Sequence, residues 1–307
     1  MKGENVMYSD EYLFSPVPAE ALPPEKKRPP VSYWKDVSGR FFGVKANTVC
    51  LAILLTVLAG CLIIPLLNPA ATTGVNYDSI KLPPSAKHWF GCDKFGHDIF
   101  MMVWKGGRVS FFIGFLAALL QAAIGVVVGA VSSYYGGRVD MVIMRAVDIL
   151  IAIPYLIIVL AIRVVMGSGM WTIIFALVVT GWMSMARLAR GQILQLKNED
   201  YIMAAQSLGV SGAGVLFRHL IPNVLGVVIV QLTLSIPQAM FSEAFLSFIG
   251  LGSNADSWGA LIRNGMDTRA LNPLQLLGAS VLLALTMLCV QLIGDGLRDA
   301  LDPKLRR

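Results

Sequence analysis

The chain has 307 residues, of which 56% are hydrophobic and only 14% charged, and its mean hydropathy is +0.67. A soluble domain carries about 25% charge, so there are too few polar residues here to cover a water-facing surface, and the composition describes a membrane protein. The net charge of +6 would suit nucleic acid only if Lys and Arg clustered on a polar domain. They fall between apolar runs instead, which excludes a nucleic-acid partner and makes membrane lipid the surrounding medium.

In chain order, residues 1–45 come first. They are polar and hold Pro16, Pro18, Pro23, Pro24, Pro29 and Pro30, which favours an extended tail. Its last part, VSYWKDVSGRFFGVK, mixes Tyr33, Trp34, Phe41 and Phe42 with Lys35, Arg40 and Lys45, a pattern for a short helix in the membrane interface. About 20 apolar residues span a bilayer as a helix. Six stretches qualify, at about 46–67, 109–134, 141–165, 170–187, 223–249 and 274–294, so the fold class is all-α with six transmembrane helices. Pro154 and Pro237 fall inside two of them, where a proline kinks a helix or is tolerated.

Six spans put both termini on one side. Of the 25 Lys and Arg, 17 lie in the segments on the side of the termini and 8 on the other. The positive-inside rule then makes the termini and the segment 188–222 cytoplasmic, with 68–108 the long outer loop. No G-x-x-x-x-G-K-[ST] occurs, so the chain has no phosphate-cradling loop. We expect no catalytic residue, metal or cofactor in it, and no bond chemistry of its own.

Three of the four cysteines sit in apolar runs. VLAGC (57–61) imitates a lipidation box at Cys61, but 45 polar residues precede the run and LIIPLL continues it, as a plain spanning helix would. Asp148 and Glu243 lie inside spans. A charge at mid-bilayer costs about 2.5–3.5 kcal/mol on insertion scales, so each lines a substrate pathway or gate, is a structural pair with, for example, Arg145 or Arg163, or simply sits at the membrane interface. Gly125 and Gly129 form G-x-x-x-G, which permits close helix packing or is coincidence in a segment rich in small residues.

The segment EDYIMAAQSLGVSGAGVLFRHLIPNVLG (199–226) is the least lipid-like part of the second half. Residues 197–208 suit a helix with Glu199 and Asp200 in its first turn, where the dipole favours acids. Ala204 and Ala205 add helix propensity without bulk. Gly209 fits a left-handed C-terminal cap. Ser211 can cap a second helix over 212–220, stopped by Pro222. The pattern predicts helix, tight turn, helix on the cytoplasmic face, with Val215, Leu216, Phe217 and Leu220 turned to an apolar surface. That surface is either the chain's own bundle or a partner.

This segment resembles the EAA motif of ABC importer permeases, which reads E-A-A, three residues, Gly, nine residues, I-x-L-P. Ala204, Ala205, Gly209 and Pro222 match it, while Met203 and His219 stand where the motif has Glu and Ile. HWFGCDKFGHDIF (88–100) resembles the H-x-x-G-T-D-x-x-G-R-D-x-F stretch of oligopeptide and dipeptide permeases. EAFLSFIGLG (243–252) with SWGALI (257–262), and GDGLRDALDPKLR (294–306), resemble two further stretches. Four such stretches in order, over about 46–307, identify a C-type subunit of that family.

The resemblance implies the type I ABC importer permease fold. It also implies a second homologous permease subunit, two cytoplasmic ABC ATPase subunits that carry ATP and Mg, and an extracytoplasmic peptide-binding protein. The site would be in a bacterial cytoplasmic membrane and the cargo oligopeptides. Dipeptides, a nickel chelate or another small solute would be alternative cargoes. An ATPase would couple through Ala204, Ala205, Gly209, Ser211, Val215, Leu216, Phe217, Arg218 and Pro222. His88, Cys92, Asp93 and His97 have the spacing of possible zinc ligands, but the family has Thr and Arg where Cys92 and His97 stand, so the stretch reads as scaffold. From another class, an ATP-independent transporter or channel would leave the chain indifferent to Gly209, and a structural anchor would leave the coupling segment without a purpose.

Overall fold

A computed structural model describes residues 33–253, 255–270 and 272–301. The proline-rich part of the tail, residues 1–32, and the end of the fourth family-like stretch lie outside the described residues. Among the described residues ten helices have eight residues or more: α1 Tyr33–Gly43, α2 Lys45–Leu67, α3 Ile99–Tyr135, α4 Gly137–Ala152, α5 Tyr155–Met166, α6 Met170–Leu196, α7 Asp200–Ser207, α8 Gly212–Phe248, α9 Trp258–Thr268 and α10 Pro273–Leu301. Among the described residues there is no strand, only one bridge between Cys92 and Asp98.

Helices α2, α3, α6, α8 and α10 are each long and apolar enough to cross a membrane. The predicted third span differs from the expectation. It is two limbs, α4 and α5, bent by 89°. Ile153 takes an extended conformation (φ −76°, ψ 125°) before Pro154, because a proline ring crowds the helical geometry of the residue ahead of it. The two limbs still run from one end of the bundle to the other. Asp140 in α4 is paired with Arg190 near the end of α6, and Arg163 in α5 donates to the Gly252 carbonyl beyond the end of α8.

Several helices outrun their predicted apolar limits. The second starts at Ile99 instead of 109, because the Asp98 carboxylate caps it by accepting from Met101 N at 3.1 Å. Such a cap satisfies one of the donors that a helix start leaves open. At 37 residues, α3 is about 55 Å long and projects beyond a bilayer core of about 30 Å. It packs along α6, where Gly125 and Gly129 let the helices close. A Cβ at 125 would stand 2.6 Å from the Trp182 carbonyl oxygen, and one at 129 would stand 3.0 Å from Ala189 Cβ. The G-x-x-x-G is therefore a packing face.

Cys61 lies fully buried within α2, which runs on to Leu67 as expected of a spanning helix. Pro65 removes the N–H that would have bonded to the Cys61 carbonyl. The Arg108 guanidinium takes its place, with Nε 2.6 Å from Cys61 O and Nη2 on Leu62 O. At the opposite end of α2, α1 lies against α10, and its Asp36 and Arg40 form an i,i+4 ion pair at 3.0 Å. The helix expected in 31–45 is thus present.

Candidate functional site

The segment 199–222 forms a turn between α7 and α8, built as its residue types dictate. Asp200 sits in the first turn of α7. At the other end Gly209 has φ +81°, a left-handed conformation that costs other residues about 1–2 kcal/mol. Its N–H donates to Gln206 O at 3.0 Å, and Val210 N donates to Ala205 O at 3.1 Å. This pair of bonds is the Schellman closure, which satisfies carbonyls a helix end would leave open. Ser211 then caps α8, its hydroxyl accepting from Gly214 N at 3.2 Å.

The second helix does not stop at Pro222, as the sequence suggested. It widens into a π-helical stretch over Val215–Leu220 and continues as α-helix from Ile221 to Phe248. Pro222 falls where the π-helical stretch gives way to α-helix, so the helix takes the proline in without stopping. The segment from Gly212 and the fifth predicted span are thus one rod.

Burial divides the predicted coupling residues. Val215 and Leu220 are fully buried and Leu216 nearly so, in a cluster with Ile193, Ile202, Met185 and Val224. Ala205 is also buried. Of the two surfaces the sequence left open for Val215 and Leu216, the chain's own bundle is the one they pack against here. Ala204, Gly209, Ser211, Phe217 and Arg218 are exposed, Phe217 by 60%. Sequence reasoning missed Leu208, which is 85% exposed, and named Met203, which is 50% exposed, only as a departure from the motif. A leucine just before a left-handed glycine has no helical neighbour on its outer side, which is the signal that would have found it. Reasoning from sequence also missed the support beneath the turn. Gly212 fits against the Tyr134 ring, whose carbonyl accepts from Lys197 Nζ at 2.7 Å. Arg190 grips Asp140 through two bonds of 2.5 and 2.6 Å.

The two acids placed inside predicted spans have different surroundings. Glu243 is fully buried. Its carboxyl accepts from Ser247 Oγ at 2.7 Å and Ser110 Oγ at 3.1 Å. Ser110 Oγ also accepts from Trp258 N, and Ser257 caps α9. Glu243 therefore ties α8, α3 and α9 together at the end opposite the turn. Asp148 is half exposed and paired with Arg187 at 2.7 Å, not with Arg145 or Arg163.

At that same end, residues 68–98 fold into a loop tied by its own side chains. Asp93 Oδ1 accepts from Phe95 N and His97 N, both at 2.8 Å. His97 contacts Asp93 Oδ2 at 3.2 Å and Gly74 O at 2.7 Å, while His88 contacts Asp98 at 2.8 Å. Both His97 ring nitrogens are thus engaged. Among the described residues no three His, Cys, Asp or Glu side chains gather as a metal site. The Cys92 thiol is pushed up to about 11 by burial, with Asp98 and Asp93 adding to the effect.

Comparison with known proteins places this architecture. Residues 121–307 match the family described as "Binding-protein-dependent transport system inner membrane component". The chain is 42% identical over 298 residues to the oligopeptide transport system permease protein OppC of Bacillus subtilis, covering 96% of this chain and 98% of that one. It is 44% identical over 284 residues to the dipeptide permease protein DppC of the same organism, covering 92% and 89%. To OppC of Escherichia coli K12 it is 39% identical over 279 residues, covering 90% and 92%. An inward-facing structure of the MetNI methionine ABC transporter superposes with a TM-score of 0.56 at 19% identity, over 66% of this chain and 97% of that one. The chain belongs to the binding-protein-dependent inner membrane component family and has the fold of an ABC importer permease, of which it is a transmembrane subunit.

Proposed function

We propose that this chain is one of two permease subunits in an ATP-driven importer of oligopeptides, and that the α7–α8 turn is where an ATPase subunit drives it. The observation that carries the reading is the division of the turn. Its inner face is fixed in the bundle by Val215, Leu216 and Leu220, while Leu208, Phe217 and Ala204 stand clear on the other. A push on those exposed groups enters α8 directly, since the helix runs unbroken from the turn to Phe248. ATP then need only favour one of two arrangements of the bundles to move the cargo site. ATP and Mg would sit in two cytoplasmic ATPase subunits, with an extracytoplasmic binding protein delivering the peptide.

Orientation follows from the charge count. It puts the turn, α1 and the end of α10 in the cytoplasm, and the 68–98 loop and α9 outside. The bacterial cytoplasmic membrane is the setting that the relatives' names suggest. The relative named a dipeptide permease, at 44% identity, favours a second reading in which the cargo is dipeptides.

The test uses the complete transporter in proteoliposomes, with its binding protein. Gly209→Val puts a β-branched side chain at φ +81°, with open space around it. Insertion and assembly should survive, while peptide uptake and the ATPase activity stimulated by loaded binding protein should fall about five- to thirtyfold, for about 1–2 kcal/mol of backbone strain. Normal coupling in that variant would remove the turn from the mechanism. Peptide uptake that proceeds without any ATPase subunit would point to an ATP-independent transporter instead.

A further inference from the structure

Along α8, Gln231, Ser235, Gln238 and Ser242 follow one another at spacings of four, three and four residues. That spacing keeps them on one face of a helix. Opposite them, α6 contributes Ser184 and α3 contributes Gln121, and together these line a cavity of about 230 Å³. Gln231 lies near the middle of the 37-residue α8, so the cavity is at the depth where lipid would surround the bundle. Tyr155, the first residue of α5 after the break at Pro154, lines the same cavity, and its buried hydroxyl has no hydrogen-bond partner. The 89° bend is what brings that ring in.

Three features make this a binding wall. Among the described residues, the side chains of Gln231, Gln238 and Ser184 have no hydrogen-bond partner, and Ser184 and Gln238 are exposed. Polar groups at membrane depth are costly unless they meet a polar partner or a wet path. Next, the lining has no Asp, Glu, Lys, Arg or His, so it attracts no charged side chain strongly enough to hold it. Finally, Gln121 is fixed in place, donating to Leu177 O at 2.8 Å and seated on Gly181, where a Cβ would stand 2.7 Å from its Oε1.

We propose that this uncharged stripe is the part of the translocation path that hydrogen-bonds the main chain of the passing peptide, whatever its side chains. This rests on the importer reading above. A carboxamide offers one acceptor and two donors, which complements the C=O and N–H of a peptide unit. A site made only of such groups binds weakly enough to release, as conduction through a path requires.

The complete transporter tests this with radiolabelled tri-alanine and an analogue N-methylated at both internal amides, whose N–H donors are gone. Wild type should import tri-alanine faster than the analogue. Gln231→Leu and Gln238→Leu should each lower tri-alanine uptake about five- to tenfold, the effect of one lost hydrogen bond, and narrow the gap between the two peptides. ATPase activity stimulated by loaded binding protein should stay. Gln231→Glu should newly favour Lys-containing over Asp-containing tripeptides. Unchanged uptake and discrimination in all three variants overturns the assignment and leaves the importer reading standing. So does loss of co-purification with the second permease, which would make the stripe a subunit contact. A wild-type complex that imports no peptide overturns both.

Discussion

The two ends of the molecule use glycine in opposite ways. At the end that the charge count would make the outer one, Gly96 has φ +81° and presses on the Asn76 backbone, where an added Cβ would come within 3.0 Å of the carbonyl carbon. Gly91, also left-handed, sits under the Leu82 carbonyl and the Asn272 side chain. At the inner end, Gly209 has the same φ of +81° but nothing within 4 Å of its absent Cβ. The same dihedral angle thus closes a packed scaffold in one place and presents a free turn in the other. The outer loop spends its polar groups on itself, through Asp93, His97, His88 and Asp98. The inner turn leaves Leu208 and Phe217 uncovered, and a partner is what an uncovered apolar tip fits.

This contrast can be broken in order of expected effect. The largest should come from Glu243→Ala, which strips the hydroxyls of Ser110 and Ser247 of their buried acceptor. A loss of about 3 kcal/mol is expected, read as a lower Tm of the detergent-purified complex, and an unchanged Tm would deny Glu243 its role as the tie between α8, α3 and α9. Gly96→Ala comes next, combining positive-φ strain with a backbone collision. About 2 kcal/mol of stability should go, and trypsin should cut the 68–98 loop sooner. If Gly96→Ala proves as mild as Gly209→Ala, the distinction between the packed and free turns is wrong.

Leu208→Asp should reverse the pattern. Thermal stability should change by less than about 0.5 kcal/mol, as for other exposed sites, while ATPase stimulation by loaded binding protein drops severalfold. An undiminished response would mean the exposed tip is not the contact. The smallest effect should be that of Asp148→Asn. Its pair with Arg187 is half exposed on both sides, a setting worth about 0–1 kcal/mol, and peptide uptake should stay within about twofold of wild type.

Much of the candidate site was legible as local chemistry. The left-handed cap at Gly209 and the Ser211 cap followed from residue types at fixed offsets, because both depend on hydrogen bonds within four or five residues. Which face of the turn is free was not legible. Val215 and Leu216 are as apolar as Phe217, and only the packing of Ile193, Ile202 and Met185 against them decides that they are anchors. The polar stripe on α8 was readable at its helical spacing, but its meaning depends on Gln121 and Ser184, which come from helices far away in the chain.

The four Ile-Pro pairs draw the same line. Ile64–Pro65, Ile153–Pro154, Ile221–Pro222 and Ile236–Pro237 are one dipeptide, and composition alone treats them alike. Only at Pro154, on an exposed stretch, does the helix break. Pro65 and Pro237 are buried within helices that continue, and Arg108 takes up the carbonyl that Pro65 frees, while Pro222 sits where a π-helical stretch gives way to α-helix. By itself the sequence determined the medium, the number of crossings and the position of the turn, because lipid demands long apolar runs and turns demand particular residues. Tertiary structure decided which prolines bend, which acids are tied down and which apolar side chains remain for a partner, because each of those depends on what distant helices place beside them.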